Sequence, residues 1–96
     1  MNNRLPIAPC HPGEILKSEF LDPMGISQSE FASHLRVSFK RINEIINKRR
    51  AISPETAWLL SEALGTTPQF WMNLQIAYDL VHNPADYHVK TLPSVG

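Results

Sequence analysis

The stretch Ser27–Arg50, SQSEFASHLRVSFKRINEIINKRR, decides the fold. It predicts two short helices joined by a tight turn, the second running into a basic cluster. Ser27 is placed to cap the first helix, because a serine hydroxyl accepts a hydrogen bond from an unpartnered first-turn N–H. Glu30, three residues on, completes a capping box by reaching back to the cap N–H. Phe31, Ala32 and Leu35 recur at helical spacing and are expected to bury one face. The helix should stop near Leu35, with Val37 in the turn and Ser38 capping the next helix. Ile42, Ile45 and Ile46 then fall at i, i+3 and i+4, which makes one apolar stripe.

With about 3.6 residues per turn, Lys40, Asn43, Glu44 and Asn47 gather on the side opposite those isoleucines, with Phe39 and Arg41 flanking them in the first turn. Such side chains can hydrogen-bond base edges: lysine to guanine O6 and N7, asparagine bidentate to adenine, glutamate accepting from cytosine N4. Two helices joined by a turn of three or four residues, the second presenting polar groups outward, form a helix-turn-helix.

The same stretch resembles the helix-turn-helix family of phage repressors and their bacterial relatives. Gln28 and Ala32 stand where that family usually has Gln and Ala. Val37-Ser38, Ile42, Ile45, Asn47 and Arg49-Arg50 match its second helix and exit. HPGEIL at His11–Leu16, RINEIIN at Arg41–Asn47 and TTPQFWMNLQIAYDL at Thr66–Leu80 look more closely like the HigA-type antitoxins of toxin–antitoxin modules. The likeness runs from about His11 to His82. It implies a lambda-repressor-like DNA-binding fold, a dimer, repression of the module's own promoter, and neutralisation of a cognate HigB-like toxin, typically a small ribosome-dependent mRNA endonuclease. Two positions depart from the family pattern. Arg36 stands in the turn and Lys48 after the second helix, where glycine is common. Glycine suits such places because φ > 0 costs it little, whereas another residue there loses about 1 kcal/mol. The turn is therefore expected to be strained or reshaped.

Charge supports a nucleic-acid face despite a formal net charge of zero. Between residues 36 and 50, Arg36, Lys40, Arg41, Lys48, Arg49 and Arg50 face Glu44 alone, while both flanking segments are acidic. DNA responds to that local potential, not to the whole-chain sum. The 96 residues suffice for one small domain whose stability a partner would raise. An apolar content of 43% argues for a globular chain. The apolar runs are too short to span a membrane, the N-terminus has no secretory h-region, and a single cysteine, Cys10, has no internal partner. A cytoplasmic setting is expected.

Residues 1–10, with Pro6 and Pro9, should form an extended arm whose Leu5 and Ile7 touch the core. Residues 11–82 should form the domain and residues 83–96 a tail. A first helix is expected over Pro12–Leu21, ended by Pro23. Ser53 should cap a fourth helix with Pro54 at N1 and Gly65 at its exit; Thr67 should cap a fifth, about Pro68–His82. The fold class is all-α with five helices. The fifth helix carries two apolar stripes: Ala77, Phe70, Val81, Leu74, Tyr78 and Trp71 on one side, Met72, Ile76 and Leu80 on another, with Gln75, Asp79 and His82 between them. Such a helix either crosses the core or buries one stripe against a second molecule. A two-fold homodimer through Met72, Ile76 and Leu80 fits a protein that must read two half-sites.

Catalysis and metal binding find no support. His11, His34, His82, His88 and Cys10 lack zinc-site spacing, and no phosphate loop or nucleophile motif occurs. No cofactor and no enzymatic activity are expected. Trp58, Trp71 and Phe70 sit at helical spacings that suit core packing. Double-stranded DNA with a palindromic operator is the expected partner. Phe39, Lys40, Arg41, Asn43 and Glu44 are the candidate base contacts; Gln28, Ser38, Lys48, Arg49 and Arg50 are the candidate phosphate contacts. The toxin surface is expected on the arm Arg4–Pro9 or on the tail after Pro84. Two other classes compete: a free-standing transcription regulator without a toxin, and an interaction module that has lost DNA binding.

Overall fold

The computed structural model describes residues 9–84 and 88–93. These contain helices and no strand. α1 (Pro12–Ile15) passes through a π-helical segment (Leu16–Leu21) into α2 (Asp22–Met24) without leaving the right-handed helical region, so the three make one continuous rod. α3 (Gln28–Leu35), α4 (Phe39–Ile46), α5 (Pro54–Leu64) and α6 (Pro68–His82) follow. With the first rod they make the five-helix, all-α architecture that the sequence predicts.

The caps set these bounds. Ser27 Oγ accepts from the Glu30 N–H at 3.0 Å while Glu30 Oε1 accepts from the Ser27 N–H at 2.9 Å. Ser38, Ser53 and Thr67 cap α4, α5 and α6 through the forward bond alone, their hydroxyls accepting from the Arg41, Thr56 and Phe70 N–H groups. Gly65, in the left-handed region at φ 74°, ends α5.

Pro23 does not end the first helix, contrary to the sequence expectation. The rod runs on to Met24 and stops at Gly25, φ 68°. The reason lies in the turn before it, where the Asp22 N–H donates five residues back to the Lys17 carbonyl. That wider turn spares the proline ring the clash with a preceding carbonyl that a regular α-turn would impose.

The core gathers Leu16, Leu21, Phe31, Ile42, Ile45, Leu60 and Trp71, all essentially inaccessible to solvent. Trp71 stays buried because its indole N–H donates to Thr66 Oγ1 at 2.7 Å. Of the other two aromatics expected in the core, Trp58 is 58% exposed, and Phe70, 38% exposed, only sets its ring edge-on to Trp71 at 5.0 Å. α5 turns Thr56, Ala57, Leu60 and Ser61 inward, which puts Trp58 outside. Gln75, expected as a polar divider on α6, is also buried. Its Oε1 accepts from the Ile52 N–H at 2.7 Å and its Nε2 donates to Asp79 at 2.9 Å. The chain between α4 and α5 has a backbone donor with no helical partner, and Gln75 satisfies it. Leu5 and Ile7 lie outside the described residues.

The start of α1 positions α4. The His11 Nδ1 accepts from the Gly13 N–H at 2.9 Å, and its ring meets Tyr78 of α6 edge-on at 4.9 Å. Pro12 takes the first helical position. Gly13 lies against the backbone of α4's last turn, where a Cβ would stand 1.9 Å from the Ile45 carbonyl oxygen. Glu14 pairs with Lys48 at 3.0 Å. The tetrapeptide His11–Glu14 thus caps its own helix, admits close backbone contact, and holds the exit of α4.

Gly13→Ala should destabilise the domain by about 2–3 kcal/mol, the scale of forced overpacking, because backbone rather than a flexible side chain must move; urea denaturation reads this. Acid should also weaken the fold. Burial pushes the His11 imidazole below its ordinary value of 6.5, with Glu14 pulling it up and Lys48 pushing it down. The folded state binds the proton less well than the unfolded chain. Its contribution is therefore complete above pH 6.5 and is lost as pH falls through the lowered folded value. The urea midpoint should fall on acidification in that window, and His11→Asn, which keeps a cap acceptor, should flatten the slope.

Candidate nucleic-acid interface

α3, the turn and α4 have the geometry of the predicted helix-turn-helix. α3 ends with Arg36 at φ 62°, ψ 40°, its N–H donating to Ser33 and the Val37 N–H to Ala32. α4 ends alike: Lys48 takes φ 63°, its N–H donates to Ile45, and the Arg49 N–H donates to Glu44 at 2.8 Å. Both are Schellman terminations, and both non-glycine residues occupy the left-handed position. The motif is strained rather than reshaped. Among the described residues these are the non-glycine positions at positive φ. Each brings a cation to an edge of α4.

α4 buries Ile42, Ile45 and Ile46. Its outer surface carries Lys40, whose side chain is 80% exposed, and Phe39, which is half exposed. Asn43 and Glu44 are half-buried beside them, and Asn47 is exposed. Asn43 is held on both sides of its amide. Its Nδ2 donates to Gln28 Oε1 at 3.0 Å, and its Oδ1 accepts from Asn47 Nδ2 at 3.1 Å. One N–H and one lone pair of the Asn43 amide stay open for an adenine edge. Gln28, at the first turn of α3, is thereby tied to α4, with its own amide N–H groups left over.

Arg41 leaves this surface. Its NH2 donates to Glu55 at 2.9 Å and to Thr56 Oγ1 at 2.7 Å, so it bridges to α5. Ser38 Oγ is engaged as the α4 cap. Lys48 pairs with Glu14, which stabilises its charged form and raises its pKa. Arg50 donates through Nε and NH2 to Glu44 Oε1 at 2.9 and 2.7 Å. Arg36 and Arg49 are exposed and enter no ion pair among the described residues.

Of the three residues expected at a dimer interface, Ile76 and Leu80 are 51% and 71% exposed on α6. Met72 is half-buried and packs against the core. Phe70 and Val81 are also exposed on this helix, so its outer surface carries four exposed apolar side chains interleaved with Gln69, Asn73, Asp79 and His82. Among the described residues no three His, Cys, Asp or Glu side chains gather as a metal site, and no helix is long and apolar enough to cross a membrane.

Sequence reasoning missed the residues that hold the face in place: His11, Gly13 and Glu14 beneath the exit of α4, Glu55 and Thr56 beneath Arg41, and Gln28 as the partner of Asn43. The signal for the first group was present in HPGE, where a capping residue, a helix-starting proline, a glycine and an acid follow one another. Nothing local marks the others, whose bonds span 14 positions of chain for Arg41–Glu55 and 15 for both Arg41–Thr56 and Asn43–Gln28.

Residues 18–71 match the family model described as helix-turn-helix. The chain is 50% identical over 70 residues to virulence-associated protein I of Dichelobacter nodosus, an overlap of 73% of this chain and 65% of that one. The chain thus spans less than two thirds of that relative's length. It is 43% identical over 72 residues to antitoxin HigA-1 of Vibrio cholerae, covering 75% of this chain and 68% of that protein. Among solved structures, the Pseudomonas aeruginosa antitoxin HigA with the higBA promoter superposes with a TM-score of 0.75 at 44% identity, over 77% of this chain and 80% of that one.

Proposed function

The chain belongs to the helix-turn-helix family, among the HigA-type antitoxins, and from this we propose that it is a sequence-specific DNA-binding antitoxin and repressor of its own operon. The observation that carries the reading is the outward face of α4, with an open Asn43 amide fixed by Gln28 and Asn47 beside the exposed Lys40 and Phe39. The related Pseudomonas HigA solved with its promoter supports it.

In this reading α4 enters the major groove. Lys40 and Asn43 contact base edges, and Phe39 packs on a thymine methyl. Gln28, Ser38, Lys48, Arg49 and Arg50 contact phosphates and fix the register. Arg41, expected among the base contacts, instead orients α4 on α5. Two copies pair through the apolar outer surface of α6 around Ile76 and Leu80, with Met72 at its edge, and so read a palindrome with half-sites about 34–36 Å apart or a multiple of a helical turn. The protein works in the cytoplasm and neutralises a HigB-like mRNA-interferase toxin, for which the N-terminal arm and the tail after Pro84 are the proposed contacts. A free-standing regulator of the same fold predicts the same DNA binding and no toxin; co-purification of a small basic protein separates the two.

Anisotropy titrations on DNA upstream of the gene, at two salt concentrations and against scrambled competitor, test this. Tight binding that survives competitor is expected. Asn43→Ala and Lys40→Ala should each cost about 1–3 kcal/mol at one operator position, whereas Arg49→Ala should weaken all sequences alike and flatten the salt dependence. Binding no tighter than to scrambled DNA would overturn the repressor assignment. Ile76→Asp should yield a folded monomer with weak operator affinity, read by sedimentation and anisotropy. A folded dimer from that variant would place the interface elsewhere.

A further inference from the structure

Most of the positive block is held by the chain's own carboxylates. Arg41 pairs with Glu55 and Lys48 with Glu14, and these pairs join α4 and its exit to α5 and α1. Glu44 is different. It belongs to α4 itself, on the outward surface, and joins no second helix. Its Oε1 accepts from both Nε and NH2 of Arg50, at 2.9 and 2.7 Å, and its Oε2 lies 3.9 Å from Lys40 Nζ. Its side chain is 27% exposed, so the carboxylate is partly withdrawn from water and held by a double contact. A carboxylate there is unfavourable beside DNA phosphates and does not tie the fold together.

We propose that Glu44 sets the ratio of operator to random-sequence affinity by holding Arg50, rather than by reading a base. The inference rests on the DNA-binding reading above. Binding to random sequence comes almost wholly from cations that neutralise phosphates and release counterions. Arg50 cannot contribute to it without leaving the partly buried Glu44 carboxylate in a negative field with only the looser Lys40 contact at 3.9 Å, so the two effects offset. On the operator, the base contacts of Lys40 and Asn43 supply the further free energy that moves Arg50 to a phosphate. Glu44 thus weakens every complex that lacks the correct bases more than the one that has them. This replaces cytosine recognition, the role that the side-chain chemistry of Glu44 alone suggests.

The test is a double-mutant cycle in the full chain: wild type, Glu44→Gln, Arg50→Ala and the double variant, titrated with operator and scrambled DNA over a salt series. Glu44→Gln should bind scrambled DNA about fivefold more tightly, the weight of a well-formed surface ion pair. Its log–log salt slope there should steepen by about 0.9, one more phosphate contact. Operator affinity should change less, so the ratio falls. The gain should vanish in the Arg50→Ala background. Three results would overturn the proposal: a Glu44→Gln loss confined to the operator, which would mean that Glu44 reads a base; a gain that persists without Arg50, which would be a general charge effect; or no change on scrambled DNA. Wild type that fails to prefer operator would overturn the DNA-binding reading and this inference together, whereas wild-type preference with an unchanged Glu44→Gln would remove this inference alone.

Discussion

The contact on which the rest of the structure depends is the seat of Gly13 on the last turn of α4. A helix can approach another helix's backbone this closely only where it lacks a side chain, and a Cβ at residue 13 would meet the Ile45 carbonyl at 1.9 Å. The approach fixes the height of α1 on α4. It brings Glu14 within reach of Lys48 and lets His11 cap α1 while resting on Tyr78. One short segment thereby links α6, which carries the exposed apolar surface, to the exit of the helix that carries the exposed polar one. Two exposed faces on a domain of this size need such a link if the spacing between them is to be reproducible.

The strain in the motif sits where the charge is needed. Gly25 and Gly65 end their helices in the left-handed region at little conformational cost, while Arg36 and Lys48 adopt the same geometry with a Cβ. Both strained ends flank α4, and both place a cation at its rim. Arg36, which enters no ion pair among the described residues, adds positive potential there, whereas Lys48 is paired by Glu14. The carboxylates around it then divide in two groups. Glu14 and Glu55 brace the fold by pairing with a cation on another segment, and Glu44 tempers the face on which it lies.

α6 shows how an apolar surplus is shared out. Trp71 takes the core and Gln75 goes in with it, because the Ile52 N–H requires an acceptor. Ile76, Leu80, Phe70 and Val81 are left outside, together with Trp58 of α5. A monomer in water gains nothing from this arrangement. A second copy covering that surface would bury it and would hold two α4 helices in fixed relation.

The amino-acid sequence by itself determined the local elements. Capping chemistry acts within three or four residues, so Ser27, Ser38, Ser53 and Thr67 announced four helix starts, and the isoleucine stripe announced which side of α4 turns inward. The five-helix fold and the helix-turn-helix were legible for the same reason. Tertiary structure alone decided what lies between elements: that a π-turn carries the first helix past Pro23, that Trp58 stays in solvent while Gln75 is buried, that Arg41 crosses to α5, and that Gln28 holds Asn43. Each depends on which helix faces which across a long stretch of chain. Periodicity gives a residue its side of a helix, and only the packed neighbour determines whether that side meets protein, water or DNA.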